Sequence, residues 1–211
     1  MKHINPYHLF ESESDPIRKV FTREQINWLD RYSTEGWKYN PSTGKVDVKG
    51  AFTCAGQGLK DFKGVEFGVI SGSFSCSNNQ LQSLVGAPEV VDGAFYCQEN
   101  KLEDLIGAPK NIWGNFVCHH NLLTSLEGAP VMVADNYHFE HNPVRASTLD
   151  RIYSTMVYAR TSYENVLRNL WKSIDVKDQA LLYREHFNWI TPEEAKKLAS
   201  IRKYLDIQNL I

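Results

Sequence analysis

Four histidines and two glutamates fall within one short stretch of the chain: Glu99, His119, His120, His138, Glu140 and His141. Imidazole and carboxylate together are a donor set for divalent metals such as zinc, and Glu99, His120 and His141 are the nearest candidate ligands. With Tyr96, Gln98, Asn115 and Val117, the same residues also make a polar and aromatic surface of the kind that holds a partner protein. Nothing beside them marks a general base or a substrate pocket. The chain carries no nucleotide-binding glycine loop, no Gly-x-Ser-x-Gly and no His-Glu-x-x-His. Binding is therefore favoured over catalysis, and no cofactor is required.

What positions these residues is a repeat. The phrase Phe74-x-Cys76-x-x-Asn79-x-Leu81-x-x-Leu84-x-Gly86-Ala87-Pro88 is written again from Phe95 to Pro109 and from Phe116 to Pro130, with a period of 21 residues. A fragment, Tyr137-x-Phe139-x-x-Asn142-x-Val144, follows. Upstream, Phe52, Cys54, Leu59, Phe62 and Gly64 fill the same slots one residue out of step, with Gln57 in the asparagine slot. A unit this short cannot bury its own apolar face, so the units must stack into a solenoid of four coils and a fragment. The Phe-x-Cys alternation predicts a short strand in each coil, pairing with its neighbours in one parallel sheet. Gly-Ala-Pro then turns the chain back.

Aligning coils by slot places Gln98, His119 and Glu140 in one row and Glu99, His120 and His141 in the next. Tyr96, Val117 and His138 share the outward strand row. Outward slots of the first coils hold small residues such as Thr53, Ser75 and Ser77, so a partner is expected to centre on the later coils. The four cysteines, Cys54, Cys76, Cys97 and Cys118, share one slot. A ladder spreads them along a line, which suits four reduced inward thiols better than a zinc centre. Asn79, Asn100, Asn121 and Asn142 read as scaffold, their amides satisfying backbone groups inside the turn.

The Phe-x-Cys-x-x-Asn-x-Leu phrase resembles the Leu-x-Leu-x-x-Asn-x-Leu half of the leucine-rich repeat, with Phe and Cys in two of the Leu slots. It is also similar to short-repeat proteins of large tailed bacteriophages, whose phrasing Leu81-Gln82-Ser83-Leu84 and Leu123-Thr124-Ser125-Leu126 follow closely. The resemblance covers roughly residues 46–144. At the opening Leu of that repeat stand Ser71, Asp92, Trp113 and Ala134, with the apolar residue one place earlier at Ile70, Val91, Ile112 and Val133. The phage likeness implies action inside an infected bacterium, on a host protein.

The flanks follow a different grammar. Residues 1–49 give a lead-in, a helix over Arg23–Tyr32 announced by the cap Thr22-Arg23-Glu24-Gln25, and a hairpin of Trp37–Asn40 with Lys45–Val48. Helix and hairpin would cover the first coil. Residues 145–211 carry apolar stripes at helical spacing and a helix start at Thr191-Pro192-Glu193-Glu194, which predicts a C-terminal helical cap or domain. Residues 50–144, the solenoid, hold 4 Lys and Arg against 10 Asp and Glu, the wrong sign for a nucleic-acid groove. No apolar run approaches membrane-spanning length, and no secretion signal follows Met1. A cytoplasmic address is expected.

The sequence thus predicts an α+β chain: a leucine-rich-repeat-like solenoid with a short parallel sheet between two caps. Its expected role is a non-enzymatic protein-binding module, phage-encoded, engaging and inhibiting a host protein through Tyr96, Gln98, Glu99, Asn115, Val117, His119, His120, His138, Glu140 and His141. Two alternatives stand beside it: a metal-binding protein or metal-dependent enzyme using the His and Glu rows, and a structural or self-associating virion component.

Overall fold

Each repeat lays down two strands where the sequence announced one. In the computed structural model, which describes residues 20–139 and 141–143, the helix α1 (Arg23–Tyr32) and the strands β1 (Trp37–Asn40) and β2 (Lys45–Val48) precede the coils. The coils then alternate between two sheets. One receives β4 (Phe67–Ile70), β6 (Val90–Val91), β8 (Asn111–Ile112) and β10 (Met132–Val133). The other receives β3 (Phe52–Thr53), β5 (Phe74–Ser75), β7 (Phe95–Tyr96), β9 (Phe116–Val117) and β11 (Tyr137–His138). The first sheet runs β1-β2-β4-β6-β8-β10 and the second β11-β9-β7-β5-β3. Apart from the antiparallel β1–β2 hairpin, all of these pairings are parallel.

The protein is therefore a β-solenoid of about four coils, and the single sheet expected from the repeat is corrected to two. The cause is the apolar residue displaced by one place: Ile70, Val91, Ile112 and Val133 point inward from strands of their own and are buried. Gly93 and Gly114, which follow two of these strands, lie so close to the coil before that an added Cβ would fall 2.6 Å from Ser73 Oγ and 2.8 Å from Ala94 N. The coil from Phe52 to Phe74 is one residue longer than those from Phe74 onward, yet the phenylalanines still pair. The predicted terminal lead-in and the C-terminal helices lie outside the described residues.

Between the sheets, like stacks on like. Phe52, Phe74, Phe95 and Phe116 form a column with ring centroids 5.6, 5.4 and 5.7 Å apart, each pair stacked. Tyr137 ends it edge-on to Phe116 at 4.8 Å. The four cysteines form the inward row the spacing predicted, all buried and none in a disulfide. Burial pushes the Cys54 thiol up to about 12 and those of Cys76 and Cys97 well above their ordinary range. These are space-filling groups and not nucleophiles.

The asparagines bind each coil to the one before it. Asn100 Nδ2 donates to the carbonyls of Cys76 and Cys97 at 3.0 and 3.1 Å, and its Oδ1 accepts from Leu81 N at 3.0 Å. Asn79 spans back to Cys54 O and Leu59 N in the same manner. Asn121 reaches Cys97 O and Leu102 N, and Asn142 reaches Cys118 O and Leu123 N. Backbone groups left over where the short strands end are thereby satisfied away from water. How close the coils lie is visible at Gly107, which has φ +92° and whose added Cβ would fall 2.5 Å from the Leu84 carbonyl carbon.

At the N-terminal end the helix and hairpin form where the sequence placed them. Thr22 Oγ1 accepts from Gln25 N while Gln25 Oε1 accepts from Thr22 N, a reciprocal capping box. The buried face of α1 sets Trp28 edge-on to Phe52, with centroids 5.1 Å apart. Past the helix, Thr34 N donates to Ala51 O at 2.9 Å and Ser33 bridges Phe52, which covers the free edge of β3. The hairpin extends the other sheet through β2.

Two outcomes follow from this core. Asn100→Ala is expected to lower stability by about 2 kcal/mol, since it leaves the buried Leu81 N–H without its acceptor while the Cys76 and Cys97 carbonyls keep their bonds from Asn79 and Asn121; a urea midpoint within error of wild type would show that the ladder contributes nothing. Stability should also fall in alkali. The thiols are held above their ordinary value of 9.0 in the folded chain, up to about 12 at Cys54. The unfolded chain therefore releases protons first, and stability that is complete below that range is lost as pH rises through it. Urea midpoints at about pH 8 and about pH 10.5 check the sign.

Candidate functional site

The outward row of the second sheet is built by the pairings Tyr96 with Val117 and Val117 with His138. Side chains in one row of a parallel sheet stand about 4.8 Å apart, so large residues shade a small one between them. Val117 is accordingly buried, at 9% exposure. It does not belong to an open face, which corrects its place among the partner-binding residues. Tyr96 and His138 on either side are half-buried, as are Asn115, Gln98 and His119. Asn115 Oδ1 is occupied within the scaffold, accepting from Asn136 N and Nδ2 at 3.0 and 3.1 Å. Gln98 Oε1 is buried with no hydrogen-bond partner among the described residues, an acceptor that a ligand donor would satisfy. Glu140 lies outside the described residues.

Glu99, His120 and His141 are exposed and share a different property: all three are left-handed, with φ of 57°, 52° and 58°. Asn78 and Gly56 occupy the same corner in earlier coils, at 53° and 68°. The chain turns there, immediately before the ladder asparagine. Asparagine and histidine tolerate this conformation better than most side chains, and glycine best of all. Two of the four histidines that stand out in sequence thus have a backbone reason to be where they are.

The corner also decides which of them meet. The His120 and His141 rings stack with centroids 4.4 Å apart and planes 25° from parallel. Ring nitrogens point along the plane of their ring, so stacked imidazoles aim their lone pairs side by side and not at a common point. For this reason Glu99, His120 and His141 do not assemble as the ligand set the sequence suggested, and among the described residues no group of three or more His, Cys, Asp or Glu is disposed to hold a metal ion. His120 turns instead to its chain neighbour, with Nδ1 2.7 Å from His119 Nδ1.

Sequence reasoning passed over the other sheet. Its outward row pairs Val69, Val90, Asn111 and Met132, and at its edges Trp113 and Val131 are exposed. The signal was available in the slot that reads Ser71, Asp92, Trp113, where a large aromatic replaces small or acidic residues. Beside it Lys45 bonds Glu89 at 2.6 Å and holds that carboxyl below its usual range.

None of the described helices is long and apolar enough to cross a membrane. Compared with protein-family models, with curated proteins and with solved structures, the chain matches none.

Glutamate is the poorest fit among the left-handed corners, because its Cβ crowds the following carbonyl with no compensating local hydrogen bond. Glu99→Asn should therefore raise stability by about 0.5–1 kcal/mol. An unchanged or lower urea midpoint would mean that Glu99 makes an interaction in the folded chain that offsets its backbone strain.

Proposed function

We propose that this chain is a non-enzymatic protein-binding module that presents the later coils of its second sheet to a partner protein. One observation carries the reading: the core is nearly the same from coil to coil, and the outward surface is not. Its strand row grows from Thr53 and Ser75 to Tyr96 and His138, and its corner column from Gly56 and Asn78 to Glu99, His120 and His141. Constant interior with graded exterior is how a solenoid makes an address on one part of its length. The acidic balance of the coils favours a protein over nucleic acid as partner.

The kinship with leucine-rich repeats and the likeness to phage short-repeat proteins belong to the same proposal. They rest on the repeat phrasing, and on them the partner is a host bacterial protein met in the cytoplasm of the infected cell, which binding would inhibit. Analogy of this kind supports a class of partner and not its name.

The test compares capture from bacterial lysate by tagged wild-type chain with capture by the triple variant Tyr96→Ala, Glu99→Gln, His138→Ala, after circular dichroism has shown both folded. One host protein is expected with wild type and is expected to be depleted at least about tenfold with the variant. Equal recovery by both chains would remove this face as the binding site.

A further inference from the structure

We propose that the outer face of the first sheet is a second interaction surface, on which Trp113 and Asp92 together take an arginine side chain of a partner protein. Trp113 is 55% exposed and is the largest of the exposed apolar side chains among the described residues. Its slot holds Ser71, Asp92 and Ala134 in the other coils. The scaffold therefore asks for no aromatic ring at this place.

Register sets what surrounds it. Val90 pairs with Asn111 and Asn111 with Met132. The ladder runs on past the strand ends, with Asp92 N donating to Ile70 O, Trp113 N to Val91 O and Ala134 N to Ile112 O, each at 2.9 Å. Asp92 thus stands one coil below Trp113 and Ala134 one coil above, their backbones about 4.8 Å to either side. Ala134 is too short to cover the indole. Val90 and Met132, both half-buried, give the ring an apolar border.

Charge decides what fits. At the opposite end of these strands acid and base offset each other: Lys45 bonds Glu89 at 2.6 Å, and Lys110 adds its field to the same carboxylate. Beside Trp113 the balance is missing, since Asp92 is exposed and makes no ion pair among the described residues. An indole face attracts a cation through its quadrupole. A guanidinium suits the place best, because its plane can lie on the ring while its N–H edge reaches the carboxylate. The ammonium of lysine, more strongly hydrated and without a flat face, gains less. The acidic balance of residues 50–144, 4 Lys and Arg against 10 Asp and Glu, favours the same sign of partner at longer range. This surface lies on the other sheet from Tyr96 and His138, so it stands or falls apart from them.

The experiment titrates capped hexa-arginine into the isotope-labelled full chain at about 0.15 M salt and follows the indole N–H signals by nuclear magnetic resonance. The signal of Trp113 is assigned by its loss in Trp113→Phe. It is expected to move saturably, while those of the buried Trp28 and Trp37 stay in place. By calorimetry, Trp113→Ala should weaken binding at least about threefold and Asp92→Asn about twofold. Glu103→Gln removes an exposed charge outside both sheets and should leave the affinity unchanged. Trp113 and Asp92 are both exposed, so their variants are expected to keep the fold, which circular dichroism checks. Capped hexalysine should bind more weakly than hexa-arginine. A Trp113 signal that does not move, or a loss in Glu103→Gln as large as in Asp92→Asn, would overturn the site. Hexalysine binding as tightly as hexa-arginine would overturn the choice of arginine.

Discussion

The structure depends on one constraint: strands of only two residues leave backbone donors and acceptors at every corner, and those groups face the interior. Water cannot reach them there, so something polar must be built into the core. The ladder of Asn79, Asn100, Asn121 and Asn142 is that element, all four being buried. Each amide has two donors and an acceptor and reaches the carbonyls and N–H groups of its own coil and of the coil before it. An isolated coil could not supply both sides. The asparagine is therefore what makes stacking obligatory as well as favourable, and the phenylalanine and cysteine columns fill the space that it defines.

Because the ladder writes one residue type at one interval, the solenoid was legible from sequence. The capping box at Thr22 and Gln25 and the alternation around the turn at Pro41 likewise specified α1 and the hairpin, since both signals are local and depend on neighbours a few residues away. The first sheet was not legible as one running through the coils. After β4 its strands are two residues long, too short for alternation to register, and Ile70, Val91, Ile112 and Val133 read in sequence as a displaced leucine slot where the structure pairs them in parallel.

The surface was legible in its residues and not in its geometry. Rows deduced from slots are correct as rows: Tyr96, Val117 and His138 do align. Exposure, however, depends on the size of flanking side chains, and Val117 is shaded by its neighbours. At the corner the row assumption fails, because the backbone there is left-handed and side chains no longer stand perpendicular to a sheet. Hence His120 stacks on His141 and bonds His119, where a strand would have set Glu99, His120 and His141 side by side.

The interface between successive coils is nearly the same at every level, phenylalanine on phenylalanine and asparagine spanning to the coil before. A duplication or loss of one repeat would consequently present the same joint to its neighbours, with no new core to evolve. Reach is quantised: the molecule can lengthen or shorten in steps of one coil, about 4.8 Å each, while the residues on its outer rows vary independently. Length and specificity are separate variables in such a chain, one set by copy number and the other by point substitution.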